Sequence, residues 1–208
     1  MHLHLIRHGK TDANEKSLYC GASDLPLSDK GKSELLALKE RGIYPTSADL
    51  YFTSSMKRAK QTLDILYGSV PSESMPQLSE YNFGEFEMKC HDELELRDDY
   101  QNWIFDDSGQ TPCPGGESRQ DFNRRISEGF DILYKNALNQ LQPEVATPKA
   151  PAPVKEKSTL VICHGGVIVQ IMDTLFPNKH NFYEWLPETG RGYTLICTAT
   201  GFETYRNI

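Results

Sequence analysis

The chain has 208 residues, with 22 Lys and Arg against 29 Asp and Glu, for a formal charge of −7. That length fits one domain, or one domain with an elaboration, and the acidic balance excludes a protein whose main task is to coat nucleic acid or an anionic membrane. Hydrophobic residues at 38% and charged residues at 25% exclude wholesale disorder, and no apolar run approaches the roughly 18 residues that span a bilayer.

The opening Met1-His2-Leu3-His4-Leu5-Ile6 lacks the basic start, long apolar stretch and cleavage site of a signal peptide. It alternates into Arg7-His8-Gly9 and predicts a short strand that ends in a glycine turn. Residues 10–27, rich in Gly, Ser, Asp and Pro, read as a loop. Ser28 is a plausible N-cap for a helix whose apolar face is Leu35, Leu36, Ala37 and Leu38 and whose stop is Gly42. Residues 49–53 predict a second strand, and Ser54 or Ser55 caps a helix through Ala59, Leu63 and Leu66 to Gly68. Residues 78–117 are less regular and include an acidic helical stretch. Phe122, Ile126, Phe130, Leu133, Ala137 and Leu141 then mark the buried face of a long helix opened by Glu117 and Ser118.

Residues 142–158 hold four prolines and few large apolar groups, and predict an exposed surface insertion in a single domain that runs 1–208. Thr159–Cys163 is a continuous apolar run suited to a strand buried on both faces. It enters His164-Gly165-Gly166 and a helix stopped by Pro177; Tyr193–Cys197 and Glu203–Tyr205 predict further strands. Strands that alternate with helices imply an α/β class with a mostly parallel sheet. The five cysteines are scattered and never spaced C-x-x-C. They read as isolated thiols in a reducing, cytoplasmic setting, with neither a disulfide framework nor a zinc site.

Two short apolar strands therefore run straight into His-Gly, at His8-Gly9 and His164-Gly165. Ligands in open α/β sheets collect beyond the carboxyl ends of the strands, where glycines and a helix start let backbone N–H groups approach an anion. Arg7 and Arg58 add guanidinium groups near the same edge. Together they outline a phosphate pocket in an otherwise acidic protein.

These blocks carry a resemblance. Leu5-Ile6-Arg7-His8-Gly9-Lys10-Thr11, Ser54-Ser55-Met56-Lys57-Arg58-Ala59, Leu78-Ser79-Glu80 with Phe83-Gly84-Glu85-Phe86-Glu87, and His164-Gly165-Gly166 resemble the histidine phosphatase superfamily in order and spacing. The resemblance implies a phosphoglycerate-mutase-like, three-layer α/β/α sandwich. Within the superfamily, Leu18-Tyr19-Cys20-Gly21 and the Phe83–Leu94 stretch look most like the α-ribazole-5′-phosphate phosphatases of cobalamin biosynthesis. A phosphatase of sugar or other small esters, a phosphoglycerate mutase and a non-catalytic phospho-ligand-binding module are the alternatives. Lys10, Cys20 and Cys163 depart from residues common among relatives.

The resemblance implies a metal-independent phosphomonoesterase without cofactor, acting on a small phosphorylated metabolite rather than on nucleic acid or membrane. His8 is the expected nucleophile. Arg7, Arg58, His164 and Asn14 are expected to hold phosphoryl oxygens, Glu80 to serve as general acid, and Gly165, Cys20 and Gly21 to bind phosphate or substrate. Glu85 and Glu87 compete weakly with Glu80 and otherwise read as surface carboxylates. His2 and His4 share a strand face but have no third metal ligand. Tyr100, Trp103 and Phe105 either cover the cleft or pack in the core, His91 and His180 are surface or substrate contacts, and Arg124 and Arg125 read as a solvated face.

Overall fold

A computed structural model describes residues 1–140, 157–198 and 201–208. Its strands are β1 (His2–Arg7), β2 (Leu50–Thr53), β3 (Glu73–Ser74), β4 (Ser158–Cys163), β5 (Gly192–Thr198) and β6 (Gly201–Asn207). They form one sheet in the order β3-β2-β4-β1-β5-β6. The pairs β3/β2, β2/β4 and β4/β1 are parallel, and β5 and β6 add an antiparallel edge. The sheet is mixed and mostly parallel.

Helices cover both faces, so the architecture is three layers. On one face Ile6, Leu160 and Ile162 meet Leu35 of α2 (Asp29–Glu40) and Ala59, Leu63 and Leu66 of α3 (Lys57–Tyr67). On the other, Leu3, Leu5, Val161 and Cys163 meet Phe122, Ile126 and Leu133 of α6 (Arg119–Gln140) and Ile168 and Met172 of α7 (Gly165–Leu175). Residues 160–163 of the central strand are fully buried, as an uninterrupted apolar run requires when both faces are covered. Each such Leu, Ile or Val contributes about 1.5–3 kcal/mol by leaving water.

Several local readings change. The expected loop 10–27 contains a helical turn, α1 (Asp12–Glu15). Thr11 and Asn14 hold it with a reciprocal capping box, a side-chain device that leaves no periodic pattern in four residues. In α2, Leu35 is buried but Leu36 and Ala37 are exposed, because consecutive helical residues point to different sides.

Neither Ser54 nor Ser55 caps α3. Met56 occupies the cap position without a side-chain bond, and Asp24 supplies the acceptor instead, taking the Lys57 N–H at 2.7 Å. The short helices α4 (His91–Leu94) and α5 (Asp98–Ile104) fall in the acidic stretch, while α8 (Phe182–Trp185) has no counterpart in the sequence reading. The proline-rich insertion expected at 142–158 lies, over residues 142–156, outside the described residues; the Lys157 carbonyl already accepts the His2 N–H, and Ser158 opens β4. Among the described residues no helix is long and apolar enough to cross a membrane.

Candidate active site

Arg7 and Cys163 are register partners on adjacent parallel strands, so the next residue of each, His8 and His164, leaves the sheet at the same edge. The two rings lie 5.1 Å apart, edge to face at 63°. Thr53 of β2 pairs with Ile162, which brings Ser54 and the start of α3 to the same edge. Three strand ends thus collect side chains from distant parts of the chain.

His8 Nδ1 lies 2.7 Å from the Gly9 carbonyl. A carbonyl only accepts, so Nδ1 carries the proton and Nε2 of the neutral ring keeps its lone pair. Burial, then the Arg58 guanidinium, and more weakly Arg7 hold His8 well below the ordinary imidazole range, against the opposing Gly9 bond. His164 is fully buried. It accepts from Arg58 Nε at Nδ1 (3.3 Å), so its Nε2–H donates to Ser54 Oγ (2.7 Å). Burial, Arg58, His8, Arg7 and Arg125 all depress its pKa. Both rings are held neutral.

Arg58 has no exposed surface; its Nη1 and Nη2 donate to the carbonyls of Ser23 and Gly21, each at 2.8 Å. Arg7 donates through Nη1 to the Pro187 carbonyl at 2.7 Å, and its buried Nε has no hydrogen-bond partner. That orphaned donor suits an anion. Glu80 accepts from Gly166 N through Oε2 and from Tyr81 N through Oε1, both at 3.0 Å, which seats a carboxylate at the positive end of α7. The glycines here let functional side chains approach: a Cβ on Gly165 would stand 2.7 Å from Leu186 Cδ1 and 3.1 Å from Arg7 Nε, and one on Gly166 2.6 Å from Glu80 Oε1, so those side chains would have to shift.

Arg7, Asn14, Cys20, Glu80 and Gly165 line a cleft of roughly 680 Å³, whose lining also includes Tyr19, Phe83, Trp103 and Tyr183. His8, His164 and Arg58 are buried behind that lining. Asn14 Oδ1 takes the Thr11 N–H, so the amide nitrogen is the donor Asn14 offers the cleft. Burial raises the Cys20 thiol pKa. The expected Gly21 contact is committed elsewhere: its N–H goes to Glu87, 3.1 Å from either oxygen, its carbonyl to Arg58, and Gly21 is not among the cleft residues.

Other residues separate by environment. Trp103 lines the cleft and donates to the Tyr81 hydroxyl, Tyr100 is fully buried, and Phe105 is exposed. His180 lines the cleft and bonds Tyr205, whereas His91 bonds Tyr100. His4 is buried against Thr194 Oγ1 at 2.9 Å, and no group of three His, Cys, Asp or Glu among the described residues is arranged to hold a metal. Arg125 is not a solvated side chain. It pairs with Glu117 and donates to the carbonyls of Gln77, Ser79 and Glu80, which anchors the segment that presents Glu80.

Sequence reasoning missed Ser54, Thr62 and Glu87 as parts of this edge. Each has a partner, a backbone atom or a ring, at least 53 residues away in chain, and no local pattern encodes such contacts. The one available signal was position: Ser54 directly follows a short strand, as His8 and His164 do.

The chain resembles known proteins in sequence and fold. The sequence model described as "Histidine phosphatase superfamily (branch 1)" matches residues 3–201. A Salmonella typhimurium protein named adenosylcobalamin/alpha-ribazole phosphatase is 34% identical over 137 residues, covering 64% of this chain and 67% of that protein. A Beijerinckia indica protein named 2,3-bisphosphoglycerate-dependent phosphoglycerate mutase is 29% identical over 186 residues, 83% of this chain and 81% of its own. The crystal structure of the alpha-ribazole phosphatase from Shigella flexneri shares the fold, with a TM-score of 0.76 at 24% identity, over 97% of this chain and 93% of that one.

Proposed function

The chain belongs to the histidine phosphatase superfamily, and on that premise we propose that it hydrolyses α-ribazole 5′-phosphate, a step of cobalamin biosynthesis, through a phosphohistidine on His8. The observation that carries the chemistry is the pair of neutral, buried imidazoles 5.1 Å apart at one sheet edge, with His8 Nε2 unprotonated because Nδ1 is held by Gly9.

In-line attack by Nε2 on phosphorus forms the N–P bond as the ester P–O bond breaks. We assign Arg7, Arg58, His164 and Asn14 to stabilise charge on the equatorial oxygens; the unpaired Arg7 Nε is a preformed donor for one of them, and His164 serves by turning its Nε2–H from Ser54 to the phosphoryl group. Glu80 protonates the leaving alkoxide, and then takes a proton from the water that attacks phosphohistidine and restores His8. The products are the alcohol and inorganic phosphate.

The cleft supports the substrate class. Its volume of roughly 680 Å³ far exceeds one phosphoryl group, and the Tyr19, Phe83, Trp103 and Tyr183 wall suits a planar aromatic base. The Salmonella relative's name points the same way. The longer alignment to a phosphoglycerate mutase favours transfer to a second phosphoglycerate as the other reading. Side-by-side kcat/KM on α-ribazole 5′-phosphate, 3-phosphoglycerate and a nucleotide monophosphate separates them: preference for the first supports the assignment, and comparable values remove it. Acid-labile, base-stable ³²P labelling that maps to a residue other than His8 overturns the nucleophile.

A further inference from the structure

Glu87 stands outside the cleft lining, yet its carboxylate gathers a whole loop. Oε1 and Oε2 together accept the N–H groups of Gly21, Ala22 and Ser23 at 2.8–3.2 Å, and Oε1 also takes that of Phe83 at 3.1 Å. Three successive N–H groups aimed at one carboxylate fix the orientation of the peptide planes between them. The Gly21 carbonyl shares its peptide plane with the Ala22 N–H, so it faces away from Glu87 and accepts Nη2 of Arg58; the Ser23 carbonyl, in the plane just beyond the three that Glu87 holds, accepts Nη1. Arg58 Nε in turn donates to His164.

A fully buried guanidinium has little freedom of its own. Its five N–H donors need acceptors; one acceptor here is the Gly21 carbonyl, whose direction Glu87 fixes through the Ala22 N–H, and the other is the carbonyl of Ser23, whose own N–H Glu87 holds. Gly21 shows how tight the seat is, since a Cβ there would lie 1.5 Å from the Tyr81 carbonyl oxygen. We infer that Glu87 is a positioning residue for the phosphoryl-transfer site: by holding the 21–23 loop it sets the place of the Arg58 guanidinium against His164 and the transferring phosphoryl group. This rests on the phosphate-binding role proposed above for Arg58.

The test is hydrolysis of p-nitrophenyl phosphate by Glu87→Gln, Arg58→Lys and the double variant. In the amide variant one acceptor oxygen becomes an NH₂ group that faces N–H donors, so the loop turns away. Misplacement of about 1 Å in such a site costs up to about 100-fold, and a 10- to 100-fold fall in kcat/KM is expected. In the Arg58→Lys background the same change should cost less than twofold, because the group it positions is already gone. Equal losses in both backgrounds, or a parent-like Glu87→Gln beside an impaired Arg58→Lys, overturn the proposal alone. A parent-like Arg58→Lys overturns the phosphate-site reading and the proposal with it.

The pH profile gives an independent readout. The charged groups facing the two rings are Arg58 from α3, Arg7 from β1 and, for His164, Arg125 from α6. A displaced Arg58 depresses the imidazoles less, so the acidic limb of kcat/KM moves to higher pH in Glu87→Gln; an unmoved limb counts against the mechanism. Glu85→Gln is the control and stays parent-like, since among the described residues that exposed carboxylate meets only Arg97, at 3.3 Å. Glu87→Asp, which keeps the charge and withdraws it by one methylene, gives an intermediate loss and replaces the amide variant if that fails to fold.

Discussion

Thr62→Val removes a hydroxyl and keeps the shape of the side chain. Thr62 has no exposed surface; Oγ1 accepts the Gly9 N–H at 3.0 Å and donates to the Arg58 carbonyl at 2.7 Å. The valine methyl leaves the Gly9 N–H unpaired in a dry site, which costs about 1–3 kcal/mol. The Arg58 carbonyl keeps its helical partner and adds little. About 2 kcal/mol in a domain of this size lowers the thermal midpoint by about 4–8 °C. The consequence reaches the chemistry, because the same glycine holds His8 Nδ1 through its carbonyl, so kcat should fall along with stability. Differential scanning calorimetry with a steady-state assay reads both, and Thr62→Ser, which retains the hydroxyl, should restore most of each. A valine variant within 1 °C of the parent and fully active refutes the reasoning that this hydroxyl braces the nucleophile's turn.

Acid should destabilise the fold well before carboxylates protonate. His4, His8 and His164 are all depressed by burial first, His4 to about 4. Below the unfolded value of 6.5 the unfolded chain binds protons that the native state refuses, so stability is full above that pH and falls toward pH 5, at up to about 1.4 kcal/mol per pH unit for each histidine. Urea unfolding at pH 7 and pH 5 measures this; a pH-independent midpoint refutes it, and His4→Gln should shallow the slope by about one proton. Glu80→Gln should lower kcat about 10²–10⁴-fold on an alkyl phosphate and far less on p-nitrophenyl phosphate, whose leaving group needs no proton. Equal losses on both substrates exclude the acid role. Gly21→Ala should reduce activity and thermal midpoint together, because the added Cβ meets the Tyr81 oxygen at 1.5 Å; a parent-like variant shows that the loop gives way freely.

Much of this protein is local in origin. The alternation in residues 2–6, the apolar run at 159–163 and the spacing of Phe122, Ile126, Phe130 and Leu133 determine strands and a helix by burial alone, and the two His-Gly junctions already mark where strands end. Together with the Arg58 and Glu80 blocks, they made the superfamily and its phosphatase chemistry legible from the amino-acid order. Tertiary structure decided which atoms meet. Asp24 rather than Ser54 caps α3, Arg125 is an anchor rather than a solvated face, and Glu87 gathers a loop 64–66 residues away. The division has one physical cause. Hydrophobic periodicity is written in neighbouring residues because an element's own geometry sets it, whereas a hydrogen bond between side chain and distant backbone exists only after the parallel register of β1, β4 and β2 has brought the strand ends together.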